Sequence, residues 1–174
     1  MRIHALCFIL GIILSATSIR AEEERLWQLH AVDIQTPYAP APMANGCIGI
    51  LPQKEPFAVE HVMLNHVFDA ASPHVVSRVM RGINPFCLSM KIDNKKVDTS
   101  NISDWQQTID MRRAVHQTSF HTLEKADVSY ELCALRNLPY AGLIRVTVQA
   151  CKDILLEVRS GMGIPDDYSQ SSIR

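Results

Sequence analysis

Alternating apolar and polar residues mark strands in the middle of the chain. From Phe86 to Ile92 an apolar residue occupies every second position, and small or polar residues stand between them. A period of two indicates a strand with one buried face. Turn-forming residues follow at positions 93–96, and Val97 begins a return strand, so a hairpin is predicted here.

Two further strand pairs are predicted downstream. Residues 114–122 and 127–135 form the second hairpin, joined by the four-residue loop 123–126. Residues 143–150 and 154–158 form the third hairpin, joined through residues 151–153. Short strands at this regular spacing are typical of an antiparallel β-sandwich.

Helix signals are few, and the C-terminal segment is irregular. Ser103 followed by Gln106 fits a capping box, which predicts a short helical turn over residues 104–107. Residues 75–80 fit either a strand or a turn of helix. Residues 161–173 are polar and aperiodic, so no closing strand is expected there and the last sheet keeps an open edge. The predicted fold is an all-β antiparallel sandwich that is incomplete and contains little helix.

The N-terminus has the layout of a secretory signal peptide. Arg2 precedes an apolar block at residues 5–14, and small residues up to Ala21 separate this block from three glutamates. The block is shorter than the roughly 20 apolar residues that span a bilayer, although an uncleaved anchor is the alternative. We therefore expect cleavage near Ala21, export to the periplasm or the extracellular space, no membrane attachment afterwards, and one sandwich domain over residues 22–174.

Composition narrows the function classes. Hydrophobic residues make up 47% and charged residues 20% of the chain, as in an ordinary globular domain. The net charge of −1 provides no basic field for nucleic acid. The histidine spacings, such as His61 and His66, fit neither a strand nor a helix face, and no C-x-x-C pair exists, so no metal or cofactor is expected.

Four cysteines lie outside the predicted signal peptide, and an exported protein can form disulfides. Buried free thiols are favoured because three of the four stand in strand-like apolar runs, and one or two disulfides are the alternative. These residues are Cys47, Cys87, Cys133 and Cys151.

The residues alone assign no catalytic site. Cleavage of a glycosidic bond usually needs two carboxyl groups, and structural roles are favoured for the carboxylates present. The candidates considered are Glu60, Asp69, Asp104, Asp110, Asp166 and Asp167. Trp27 and Trp105 are the candidates for stacking on a sugar ring, with a place in the core as the alternative for each.

The stretch around Asn45 has an unusual glycine content for an apolar segment. Asn45-Gly46 can adopt the positive φ of a tight turn into a strand. Gly49 is expected where another backbone or element approaches closely.

An ordered set of motifs resembles the N-terminal β-sandwich domain of glycoside hydrolase family 65, the maltose, trehalose and kojibiose phosphorylase and hydrolase group. The similarity runs from Trp27 to Val158, with Cys47 in place of the family's usual aromatic residue and Leu51-Pro52 in place of a more polar continuation. The segments that carry it are Asn45–Gly49, Val67–Asp69, Met90–Asp93, Ile109–Val115 with Asp110, and Glu131–Ala150.

The resemblance implies a sandwich of the super-sandwich type that accompanies a separate catalytic domain. In that family the catalytic general acid lies on an (α/α)6 barrel downstream of the sandwich, where phosphate or water attacks with inversion. The resemblance therefore implies the front portion of an exported enzyme acting on α-glucosidic or related glycosides, inactive by itself, with a downstream catalytic domain and carbohydrate as its partners. A truncated gene product or an incomplete gene model would give such a chain. A secreted carbohydrate-binding module and a non-enzymatic structural or interaction domain are the alternatives.

Overall fold

The computed structural model describes residues 25–68 and 79–165, and the elements in these ranges are all strands. The predicted signal peptide, Asp69, residues 75–78 and the tail from Asp166 lie outside the described residues. The strands are β1 (Gln28–Ala31), β2 (Met43–Ala44), β3 (Ile48–Pro52), β4 (Val59–Phe68), β5 (Val79–Arg81), β6 (Asn84–Ile92), β7 (Lys95–Lys96), β8 (Ile102–Asp110), β9 (Val115–Thr122), β10 (Ala126–Ala134), β11 (Gly142–Ala150) and β12 (Leu156–Gly163).

The strands form three antiparallel sheets. The five-stranded sheet has the order β1-β8-β9-β10-β11, the four-stranded sheet the order β2-β3-β4-β5, and the three-stranded sheet the order β12-β6-β7. A hydrogen bond connects the two smaller sheets, because Asn84 Nδ2 of β6 donates to Val59 O of β4 at 3.2 Å. The link between β5 and β6 is also held on β4, since Gly82 N–H donates to Val62 O at 2.6 Å. The predicted all-β antiparallel sandwich is confirmed.

The core is built from the inward faces of these sheets. In β10 every second residue from Ala126 to Ala134 is buried, which places Tyr130 at the centre of the five-stranded sheet. Phe57, in the loop before β4, packs against Tyr130 with ring centroids 4.8 Å apart and against Phe120 with centroids 6.1 Å apart. The aromatic contact therefore ties this loop to the middle of the opposite sheet.

Two of the three predicted hairpins are confirmed. The turn between β6 and β7 is only Asp93-Asn94, whose φ values of 50° and 66° suit the two-residue turns favoured in hairpins. The return strand therefore starts at Lys95, and its predicted start at Val97 is wrong. β9 and β10 pair through a loop of residues 123–125, one residue shorter than predicted because Ala126 already belongs to β10.

The third predicted hairpin is wrong. β11 pairs with β10, and β12 pairs with β6 of the three-stranded sheet, so the two strands do not pair with each other. Asp93 holds the start of β12 on β6, since its N–H donates to Leu155 O at 2.9 Å and its Oδ1 accepts from Leu155 N–H at 2.8 Å. β12 also continues to Gly163, so the expectation of irregular structure from Gly161 is wrong for the first residues of that segment.

The predicted helical turn over residues 104–107 is also wrong, because this segment lies inside β8. Trp105 and Gln107 are both buried while their neighbours are more exposed, and this alternation is typical of a strand with one buried face. A register shift between Ser103 and Gln106 conceals that period at the start of the strand.

All four cysteines outside the predicted signal peptide lie within the described ranges. Cys47, Cys87 and Cys133 are free and half-buried, and Cys151 is free and exposed. In residues 25–68 and 79–165, no helix has the length and apolar character needed to cross a membrane.

Candidate functional site

The Asn45-Gly46 turn between β2 and β3 is fixed by the Asn45 side chain. Its Oδ1 accepts from the N–H groups of Cys47 and Ile48, both at 2.9 Å. Its Nδ2 donates to Leu135 O at 2.7 Å and to Leu138 O at 3.4 Å, in the connection between β10 and β11. One side chain therefore closes a local turn and binds a loop from the opposite sheet.

Asn65, near the end of β4, completes this arrangement. Its backbone N–H donates to Cys47 O at 2.8 Å, and its Nδ2 donates to Gly46 O at 2.7 Å. The hydroxyl of Tyr140 donates to Asn65 O at 3.2 Å. We call this network of Asn45, Gly46, Asn65 and Tyr140 the Asn45 node, which joins three segments at one end of the sandwich.

The two glycines of this segment have different roles. Gly46 has a φ of +90° and open space where a Cβ would stand, so its requirement is conformational. Gly49 pairs with Met63 of β4, and a Cβ there would lie 3.4 Å from Met63 Cε, an ordinary contact. The element that approaches Gly49 is thus a flexible side chain of the neighbouring strand.

Large apolar side chains are exposed in the segments around the Asn45 node. Tyr140 and Leu138 lie in the β10–β11 connection, and Phe68 ends β4. Because the hydroxyl of Tyr140 is held by Asn65, its ring is a positioned aromatic surface. Sequence reasoning singled out the tryptophans and did not select Tyr140, whose exposure depends on the fold.

The two tryptophans predicted as sugar contacts lie in different environments. Trp105 is 4% exposed in the core, where its ring centroid lies 6.2 Å from that of Tyr38. Trp105 therefore occupies the core position that was the alternative for it. Trp27 is 47% exposed beside β1, and its carbonyl accepts from Met111 N–H at 2.8 Å. Sugar contact by Trp27 stays a prediction.

Asp110 occupies a turn position. It is the last residue of β8, and its Oδ1 accepts from Arg113 N–H at 2.9 Å in the β8–β9 turn, which Ala114 leaves with a φ of 54°. This geometry gives Asp110 a structural function in the hairpin. Asp69, Asp166 and Asp167 lie outside the described residues.

Two surface concavities are large enough to hold a sugar ring. The larger, of about 500 Å³, lies beside β6 and β12, and Glu55 is its one lining carboxylate among the described residues. A smaller one of about 290 Å³ lies on the outer face of the five-stranded sheet and contains Asp104 and Asp127. Both of these aspartates are exposed, and Asp127 Oδ1 lies 2.8 Å from His121 Nδ1. Neither aspartate therefore has the buried, apolar surroundings that a glycosidase general acid needs.

His116 of β9 is a buried titratable group on the inward face of the five-stranded sheet. Burial lowers the pKa of His116 to about 4, and its Nδ1 has no hydrogen-bond partner among the described residues. The imidazole is therefore neutral at physiological pH and belongs to the core. Within the described part of the chain, no group of three or more His, Cys, Asp or Glu side chains is arranged to hold a metal ion.

Comparison with known proteins relates the chain to glycoside hydrolases. It is 28% identical over 158 residues to a kojibiose hydrolase of Mucilaginibacter mallensis, which covers 91% of this chain and 23% of that protein. It is 31% identical over 135 residues to a kojibiose hydrolase of Flavobacterium johnsoniae, which covers 74% of this chain and 20% of that protein. No protein-family model matches the chain. The chain thus spans about a fifth of the length of the curated relatives it matches.

Proposed function

We propose that this chain is the N-terminal β-sandwich portion of an exported carbohydrate-active enzyme of the family 65 type. The observation that carries the proposal is the similarity of 91% of the chain to 23% of a kojibiose hydrolase. The proposed enzyme acts on α-glucosidic or related glycosides, by hydrolysis or phosphorolysis. Its catalytic groups belong to a separate barrel domain, and this chain by itself is inactive.

The arrangement of carboxylates supports an accessory role. Cleavage with inversion needs one carboxyl group with a raised pKa and a second that activates water, placed on either side of the scissile bond. The described concavities offer single or exposed carboxylates. The best-defined polar network, the Asn45 node, contains amide, backbone and phenol groups, so its chemistry is to hold loops in place.

A domain exchange tests this proposal. Residues 22–174 would replace the matching segment of the F. johnsoniae kojibiose hydrolase, and an unrelated β-sandwich of similar length in the same place is the control. We expect the chimera to keep hydrolysing kojibiose and the control to lose activity. A folded chimera without activity would contradict the proposal, because the segment would then not serve as this enzyme's sandwich.

A carbohydrate-binding module is the second candidate, and the exposed indole of Trp27 favours it. Aromatic faces contribute a large apolar contact area to binding sites. Calorimetric titration with kojibiose and longer α-glucans would then show binding that Trp27→Ala removes and Trp105→Phe retains. Absence of binding by the wild-type chain excludes this candidate.

A further inference from the structure

β12 is an edge strand with unpaired backbone groups. Among the described residues its one strand neighbour is β6. On β6, Met90 O accepts from Val97 N–H at 3.0 Å, so the backbone of Met90 faces β7. Val158 stands opposite Met90. Because the two form a pair without hydrogen bonds to each other, the N–H and C=O of Val158 point away from β6.

The same alternation continues along β12. Asp93 N–H donates to Leu155 O, which fixes odd-numbered residues of β12 as those bonded to β6. Leu156, Val158 and Ser160 therefore present their donors and acceptors at the open edge. Such an edge is a template for pairing with another strand.

The core-facing side of β12 is apolar and uncovered. Leu156 and Val158 stand opposite Ile92 and Met90, which are both 0% exposed, so all four side chains share the inward face. Leu156 is nevertheless 41% exposed and Val158 is 48% exposed. The layer that covers β6 does not extend over β12, and another apolar surface is needed to bury these side chains.

The outward face of β12 carries a self-complementary pair of charges. Glu157 and Arg159 flank Val158 and form an ion pair of 2.5 Å within the strand. If two copies of β12 pair antiparallel around Val158, Glu157 of each copy stands opposite Arg159 of the other. Opposite charges at facing positions stabilise an antiparallel pair.

The backbone is compatible with the register that the charges favour. Around a two-fold axis at Val158, the two Val158 residues face each other as a hydrogen-bonded pair, because their N–H and C=O groups already point to the edge. Leu156 then faces Ser160 of the second copy, which gives about six backbone hydrogen bonds in total. Centring on Ser160 would place Glu157 opposite Gly163 and Arg159 opposite Gly161. Centring on Leu156 would place Glu157 opposite Leu155, and Arg159 opposite Asp153, which precedes the start of β12.

We propose that this chain forms a two-fold symmetric dimer by antiparallel pairing of its β12 strands, centred on Val158. The pairing closes after two copies, because each copy uses its single β12 edge. It joins the two three-stranded sheets into one continuous sheet and places the two Val158 side chains beside each other. The contact is smaller than the roughly 1,200–2,000 Å² of stable interfaces, so the dimer is weak and depends on concentration. This inference concerns the chain itself and does not rest on the proposed function.

Charge reversal across the two-fold axis tests the register. Protein purified from expression of the full 174-residue chain is examined by sedimentation velocity at a series of concentrations. We expect a monomer–dimer equilibrium for the wild type. Glu157→Arg places two arginines opposite each other, and Arg159→Glu places two glutamates opposite each other. Each single variant should dimerise about tenfold or more weakly.

Mixing the two single variants provides the decisive readout. In a mixed dimer every facing pair is again of opposite charge, so a heterodimer should form where neither variant dimerises alone. The double variant Glu157→Arg/Arg159→Glu should also dimerise like the wild type. Loss of a charge within one copy cannot produce this rescue.

Arg145→Glu is the matched control. It reverses an exposed arginine on β11 in the other layer, beside Glu131, and should leave dimerisation unchanged. A monomer at every concentration, assembly beyond a dimer, or single variants that dimerise normally or fail to form the heterodimer would each overturn the proposal.

Discussion

The backbone N–H of Phe57 donates a hydrogen bond of 3.1 Å to the phenolic oxygen of Tyr130 in the interior of the sandwich. Phe57 has a φ of 64°, an unusual conformation for an aromatic residue, and its ring lies against Tyr130. Burial raises the pKa of Tyr130, so the phenol stays protonated. One tyrosine thus anchors a strained loop to the opposite sheet.

Removing this hydroxyl should destabilise the fold. Tyr130→Phe keeps the ring but leaves the buried N–H of Phe57 without its acceptor, which costs about 1–3 kcal/mol. Urea denaturation followed by fluorescence measures the change. Tyr140→Phe is the control, since that hydroxyl donates to Asn65 O from an exposed ring, and its loss should cost less. Equal midpoints for wild type and Tyr130→Phe would show that the buried bond contributes nothing.

Gly46 should be sensitive to substitution through its backbone alone. Gly46→Ala meets no neighbouring atom, but alanine at a φ of +90° is strained by about 1–2 kcal/mol. Gly49→Ala adds the same methyl group at ordinary contact distance from Met63, without a positive φ, and should change stability by about 0.5 kcal/mol or less. Thermal melts of both variants distinguish them, and a Gly49→Ala cost equal to that of Gly46→Ala would contradict the assignment.

His116 should make the fold less stable in weak acid. Its pKa is lowered from 6.5 to about 4, so between these values the unfolded state binds the proton more readily than the folded state. The stabilisation that depends on a neutral His116 is fully present above pH 6.5. Between pH 6.5 and pH 4 the free energy of unfolding falls by about 1.4 kcal/mol for each pH unit.

Denaturation midpoints of wild type and His116→Gln across this pH range measure the effect. In His116→Gln the loss of stability with falling pH should be smaller by the contribution of His116. His121→Gln alters the surface His121–Asp127 pair and should keep the wild-type dependence on pH. Parallel pH profiles for the wild type and the His116 variant would contradict a buried neutral imidazole.

Asp93 should control the docking of β12. Its Oδ1 accepts from Leu155 N–H at 2.8 Å, and its Oδ2 pairs with Lys125. The hydrogen bond from Leu155 is the largest cause that lowers the pKa of Asp93, followed by the Lys125 contact. Asparagine at position 93 keeps a side-chain oxygen that accepts a hydrogen bond, and it tolerates the φ of 50°. Asp93→Ala removes the acceptor and places a residue that disfavours positive φ at this turn.

Hydrogen exchange of the β12 amides is the suitable measurement for this prediction. Asp93→Ala should increase exchange at Leu155, Glu157 and Arg159, whose amides face β6, more than Asp93→Asn does, while exchange in β9 and β10 stays unchanged. An equal response in all strands would mean that Asp93 stabilises the whole fold and not this strand.

Local pairing made part of the fold predictable. The β6–β7 and β9–β10 hairpins connect strands through two or three residues, and their alternation from Phe86 and from Ala126 is regular. β12 was assigned the wrong neighbour because the alternation of a strand does not specify its partner. That choice depends on Asp93, which lies 62 positions from Leu155.

The candidate site was predictable to a similar extent. Asn45-Gly46 was expected to form a turn, and Gly46 has the positive φ that such a turn requires. The partners of the Asn45 side chain, Leu135 and Leu138, lie 90 and 93 positions away, and no local pattern indicates them. The burial of Trp105 was hidden by the irregular start of β8.

The central claim is that this chain is the non-catalytic front portion of a carbohydrate-active enzyme. Its most direct test is the release of glucose from kojibiose by the purified 174-residue chain, with and without inorganic phosphate, and with the F. johnsoniae kojibiose hydrolase as the positive control. We expect no release of glucose above the blank under either condition. Release of glucose that is abolished by Asp104→Asn or Asp127→Asn would contradict it, because the catalytic carboxylates would then lie within this chain.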